Sequence, residues 1–135
     1  MTNNATPTPA LGHAGVAGSA IDDLPQLWDG LAKLVREGLG IAAFGTQIWD
    51  LPPDYVTESH DERATDQQEL YLGLRGSGAV LLEDGRRLAL DPDHLVAVGP
   101  AVGRTLTSGP DGLRVLCIGA PLGRAYEAPE WTTGA

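Results

Sequence analysis

His60, Glu62 and Glu69 place one imidazole and two carboxylates at the head of an alternating stretch, Gln67 to Gly73. Neutral imidazole and carboxylate are competent ligands for first-row metals. One histidine with two carboxylates is a workable set, related to the facial triad of iron oxygenases. Plainer readings stand beside this one. His60, in Ser59-His60-Asp61, reads equally as a surface histidine. A buried acid such as Glu69 needs a cationic or hydrogen-bonding partner whether or not metal is present.

Strands must position these groups. Between Gln67 and Gly73 the chain puts Glu69, Tyr71 and Gly73 on one face, with Leu70, Leu72 and Leu74 on the other. Gly76-Ser77-Gly78 reads as a turn that closes this strand. Ile41 to Leu51 is an earlier strand, broken by Leu51-Pro52-Pro53-Asp54. Ala79 to Leu82 and Arg87 to Leu90 flank Glu83-Asp84-Gly85, and Asp-Gly is a strong hairpin signal. Leu95 to Val98, Thr105 to Thr107 and Leu113 to Ile118 complete the series, divided by turns at Gly99-Pro100 and Gly109-Pro110. The pattern predicts an all-β antiparallel sandwich or barrel.

Upstream, Asp22-Asp23-Leu24-Pro25 reads as a helix start. Leu24, Leu27, Trp28, Leu31, Leu34 and Val35 follow at helical spacing, and Gly38 and Gly40 stop the run. This predicts one N-terminal α-helix over 23–37. Residues 1–20 lack large apolar groups and read as a disordered tail in which His13 does nothing. Residues 21–135 then form a single domain that ends in an extension, 121–135, pinned to a surface by Tyr126 and Trp131.

The 135 residues carry 9 Lys and Arg against 18 Asp and Glu, a net charge of −9. Such a surface repels phosphate backbones and anionic lipid, so neither nucleic acid nor a membrane is an expected partner. The apolar runs are too short for a transmembrane helix and the N-terminus lacks a signal-peptide pattern, so a cytoplasmic location is expected. Cys117, in Val115 to Ile118, reads as a packed small hydrophobe. His94 follows a turn and reads as its cap. Several strands are apolar on both faces, which calls for a covering helix or a second copy, and a homodimer is expected.

The stretch from His60 to Gly78 resembles the first motif of the cupin family: a glycine, five residues, His-x-His, three or four residues, Glu, six residues, and a glycine. Glu69 and Gly76 keep the last spacing, and His60 stands for the first histidine. Glu62 replaces the second histidine, and six residues separate Glu62 from Glu69. Leu90-Asp91-Pro92-Asp93-His94 is similar to the family's Pro-Gly-Asp turn. In the stretch that matches the second motif, Gly99 to Ser108, Pro100 keeps the turn. There Arg104 stands at the place of the family's last histidine ligand, and Ser108 at that of an asparagine.

The resemblance spans roughly residues 41–120 and implies a cupin-like jelly-roll barrel there. It also implies an internal site, which in cupins commonly holds iron, manganese, nickel or zinc on three imidazoles and a carboxylate. By position this chain offers His60, Glu62, Glu69 and Arg104. Guanidinium stays protonated and cannot ligate. An inward Arg104 would pair with Glu69 or Glu62 and replace the metal electrostatically. The expected function is therefore a pocket for a small molecule, with metal absent or weak. Gln47, Trp49 and Tyr71 would line it, and Arg104 would hold an anionic group. The alternative is a metal-dependent dioxygenase or isomerase using His60, Glu62 and Glu69. A third reading is a partner protein whose cavity is filled by side chains. Cupins are often dimers, which agrees with the two-sided strands.

Overall fold

Two long strands organise the molecule. The structure, a computed structural model, describes residues 15–133. Most of the expected tail, His13 included, lies outside the described residues; Gly15 to Ala20 are exposed.

The strands, in chain order, are β1 (Gln26–Leu27), β2 (Ala32–Lys33), β3 (Gly45–Leu51), β4 (Gln67–Leu82), β5 (Arg87–Leu90), β6 (Leu95–Val98) and β7 (Arg104–Pro121). A short helix α1 (Val35–Leu39) sits between β2 and β3. β4 and β7 pair antiparallel from Gln67 opposite Pro121 to Leu82 opposite Arg104. Register shifts near Gly73 and Gly76 bend this ladder, so each long strand serves both layers. In one layer the first half of β4 pairs with β6 and the second half of β7 pairs with β3, which continues to β2 and β1. In the other layer the second half of β4 pairs with β5, and the chain around Val56 and His60 lies along the start of β7. The result is an antiparallel jelly roll. Leu51, Tyr71, Val80, Leu90, Val96, Val98, Leu106, Leu113, Val115 and Cys117 fill the space between its layers.

The expected turns at Gly76-Ser77-Gly78 and Gly109-Pro110 are replaced by continuous strands. Glycine is required there for a different reason. Gly76 has φ 79°, and a Cβ on it would press against the carbonyl oxygen of Gly112. The glycines allow two backbones to touch where the ladder bends. The Asp84-Gly85 hairpin forms as expected, with Gly85 donating to the Leu82 carbonyl. The strand expected from Ile41, β3, starts at Gly45. His94 does cap its turn, with Nδ1 2.7 Å from Asp91.

The long helix over 23–37 is corrected. Ile21–Asp23 forms a 3-10 turn, β1 and β2 form a hairpin, and the α-helix is confined to Val35–Leu39. Trp28, Asp29 and Gly30 take positive φ values of 54°, 54° and 86°. Asp29-Gly30 is itself a hairpin signal. Ala32 and Lys33 pair with Trp49 and Ile48 of β3, and Lys33 reaches Asp50 at 2.7 Å. These tertiary pairings override the helical spacing of the leucines.

Along β4, Glu69, Tyr71 and Gly73 face inward as the alternation requires, and Leu70, Leu72 and Leu74 face out. Among the described residues no helix is long and apolar enough to cross a membrane.

Candidate functional site

The inner face of the β3-β7-β4 layer sets the floor of a cavity. Its rows follow from register: Gly45, Gly119 and Glu69; then Gln47, Cys117 and Tyr71; then Trp49, Val115 and Gly73. Two glycines beside Glu69 leave the sheet bare there. A Cβ on Gly119 would sit 2.8 Å from Gln67 Oε1, and one on Gly45 would strike the Tyr126 ring. The space left open is a cavity of about 650 Å³. Its walls are the chain from Tyr55 to Thr65, Leu31 and Trp28 of the N-terminal hairpin, and Tyr126, Pro129 and Trp131 of the C-terminal extension.

The three tryptophans gather at this wall. Trp28 stacks on Trp49 and on Trp131 with centroids 6.0 and 5.8 Å apart, and Trp49 lies 5.6 Å from Trp131. Trp28 remains 55% exposed, so its ring is a surface for something else to cover. Tyr126 is held by Arg36, whose guanidinium lies 5.3 Å from the ring centroid.

Glu69 is buried and carries the polar chemistry. Arg104 Nη2 donates to Glu69 Oε1 at 2.8 Å, and the Tyr71 hydroxyl donates to the same oxygen. His60 Nε2 lies 3.7 Å from that oxygen and 3.5 Å from Glu62. Burial pushes the Glu69 carboxyl up, but His60, Tyr71 and Arg104 outweigh it and hold the carboxyl at about 2. Glu69 in turn raises the His60 pKa against the opposing effect of burial. Burial raises both Tyr71 and Cys117, so both stay protonated. Cys117 is the small buried group expected, with Sγ 3.6 Å from Glu69.

Arg104 is 1% exposed and reaches Glu69 from the start of β7, in the opposite layer. Besides Glu69 it donates to the Tyr71 hydroxyl and to the carbonyls of Gly99 and Val102. It is absent from the cavity wall. Arg104, expected to hold a ligand anion, directs its donors to Glu69, Tyr71 and these carbonyls. Gln47, Trp49 and Tyr71 do face the cavity, and His60, Glu62 and Glu69 come within 4.8 Å of one another. Trp28, Gln67, Tyr126 and Trp131 also line it and were not among the expected site residues. For Tyr126 and Trp131 the signal was present, two aromatics in a loose segment. Trp28 was hidden in the helical stripe.

Solved structures share this architecture at low identity. A cupin protein from Bacteroides fragilis aligns with a TM-score of 0.63 at 18% identity, covering 88% of this chain and 94% of that one. The chain has the cupin fold. A protein with a double-stranded β-helix domain from Klebsiella pneumoniae aligns at TM-score 0.61 and 16% identity, covering 82% and 96%. A cupin-superfamily sugar phosphate isomerase from Silicibacter pomeroyi aligns at TM-score 0.55 and 16% identity, covering 66% of this chain and 57% of that one. No protein-family model and no curated protein matches the chain.

Glu69, one of the residues expected to hold metal, forms an ion pair with Arg104. His60, Glu62 and Glu69 are close enough to share a cation. However, Glu69 Oε1 already accepts from Tyr71 and Arg104. A unit charge 4 Å from a guanidinium is repelled by about 4 kcal/mol at an effective dielectric near 20, and a divalent ion by about twice that. As arranged, the donor set does not fit a resident divalent metal.

Proposed function

We propose that this cupin-fold protein binds a small molecule in the barrel cavity without a tightly held metal. The carrying observation is where the aromatic residues lie. The chain has three tryptophans and three tyrosines, and every one of them lines the cavity. Tyr71, Trp49 and Tyr55 also pack with the core, yet all six rings converge on the cavity. Ligand sites of about 300–1,000 Å³ are typically apolar with a few convergent polar groups, and this one is of that kind. The ligand would lay a planar or apolar face on the tryptophans. Its polar end would meet Glu69, His60 and Gln67.

The neighbour from Silicibacter pomeroyi is a sugar phosphate isomerase. A phosphate dianion is a poor guest here, because Glu58, Asp61, Glu62 and Glu69 face the cavity while Arg104 does not. The proximity of His60, Glu62 and Glu69 supports a second reading, a metal-dependent enzyme, which requires Arg104 to leave Glu69.

A ligand-observed NMR screen of small aromatic, cyclic and sugar-like compounds tests the cavity reading. Binders of the wild-type protein should lose binding to Ser59→Trp, which fills the mouth from an exposed position. No binders, or binders indifferent to Ser59→Trp, would refute it.

A further inference from the structure

We infer that the ligand is an organic cation, a protonated or quaternary amine carried on a ring-bearing body. This deepens the cavity reading above and rests on it.

The charge at the wall is one-sided. Four carboxylates line the cavity, and His60 is the one basic side chain among the described lining residues. Two of the carboxylates are already answered: Asp61 by Arg63 at 2.8 Å and Glu69 by Arg104 at 2.8 Å. Glu62 accepts a hydrogen bond from Thr65 and faces His60 at 3.5 Å, so its charge meets only a half-exposed imidazole. Ring faces attract cations through their quadrupole, tryptophan most strongly. Trp28, Trp49 and Trp131 supply such faces within reach of one another.

A second observation is independent of the acids. Gln67 is only 6% exposed, lines the cavity, and its side-chain amide has no hydrogen-bond partner among the described residues. Its Oε1 lies over Gly119, at the bare part of the floor. Its amide opens onto the cavity, where a guest can reach it. An ammonium or amine N–H would give that carbonyl its bond. A carboxylate or phosphate would instead add negative charge beside Glu62, while Arg104 is paired with Glu69 and does not line the cavity.

Three probes of similar size carry a phenyl ring and a head group of different charge: phenethylamine, 2-phenylethanol and phenylacetate. Titrate each near pH 7 into wild type, Glu62→Gln, Gln67→Ala and Ser59→Trp, by calorimetry and by tryptophan fluorescence. The amine should bind about tenfold tighter than the alcohol, and the acid weakest. Glu62→Gln should remove most of the amine's advantage while leaving the alcohol unchanged. Gln67→Ala should weaken the amine several-fold. Ser59→Trp should weaken both amine and alcohol. If the alcohol binds and Ser59→Trp abolishes it, yet the amine shows no advantage, the cavity reading stands and the cation is refuted. An unchanged amine-to-alcohol ratio in Glu62→Gln refutes it too, as does failure of the amine to bind. The wider screen then decides the cavity reading alone.

Discussion

Replacing Arg104 with methionine removes the charge beneath Glu69 and keeps most of the volume. Arg104 is 1% exposed and bonds to Glu69, Tyr71 and two carbonyls. Breaking a buried pair by removing one partner costs about 3–5 kcal/mol, because the other charge stays buried alone. Linkage gives a figure of the same size for His60, Tyr71 and Arg104 acting together on Glu69. A carboxyl moved from 4.5 to about 2 on folding contributes about 3 kcal/mol at neutral pH. The sign follows from the lowered value. The contribution is complete above pH 4.5 and is lost as pH falls from 4.5 through about 2. Arg104→Met should therefore lose about 3–5 kcal/mol near pH 7, out of a total of about 5–15 kcal/mol for a domain. The loss should shrink by about 2 kcal/mol near pH 3, where the variant's Glu69 is protonated and no longer needs a cation, while wild type has lost part of its own contribution. Urea unfolding of wild type, Arg104→Met, Glu69→Gln and the double variant measures this. The double variant should be clearly more stable than the sum of the single losses implies. A loss under about 1 kcal/mol, a loss independent of pH, or strict additivity would refute the argument.

Gly76→Ala should destabilise by at least about 2 kcal/mol, through positive φ and contact with the Gly112 carbonyl; thermal unfolding checks it. Leu70 and Leu95 are exposed on the outer face, with Leu72, Leu116 and Ile118 beside them in register. Sedimentation should therefore find a dimer that Leu70→Lys with Leu95→Lys converts to monomer; a wild-type monomer at tens of micromolar would remove that expectation. Wild type should bind manganese, nickel or zinc weakly, whereas Arg104→His should bind more tightly and lose the gain when His60→Ala is added. Stoichiometric, tight binding by wild type would bring the metalloenzyme reading forward.

Local rules made the strands legible. The alternation through Glu69 and Tyr71 assigned their faces, and Asp84-Gly85 marked its hairpin. The same local rules misled at Gly76 and Gly109. A glycine needed for backbone contact between strands looks like a glycine needed for a turn until the partner strand is known. They misled again over 23–37, where leucine spacing suited a helix but pairing with β3 decided the outcome. For the site, the spacing from Glu69 to Gly76 and the place of Arg104 pointed to one locus. The inward pairing of Arg104 with Glu69 was legible; which carbonyls hold the rest of its guanidinium was not. Arg104 has no donor aimed at the cavity because Glu69, Tyr71 and two carbonyls take them, and carbonyl positions are set by tertiary structure. Gln67, Trp28 and Trp131 come from three separate stretches, and no spacing rule links them.

The β4–β7 ladder couples residues far apart in sequence, so the chain must close long loops before either layer is complete. Folding should be slow for this size. Once formed, neither layer can open without breaking strands that also belong to the other. Amide exchange should report one late-opening unit containing β4 and β7. The β1–β2 hairpin is held by two residue pairs at the sheet edge and should exchange earlier. Trp28 rides on that hairpin. Brief fraying of this edge would uncover the tryptophan wall without disturbing Glu69, giving a guest a way in and out while the barrel stays closed.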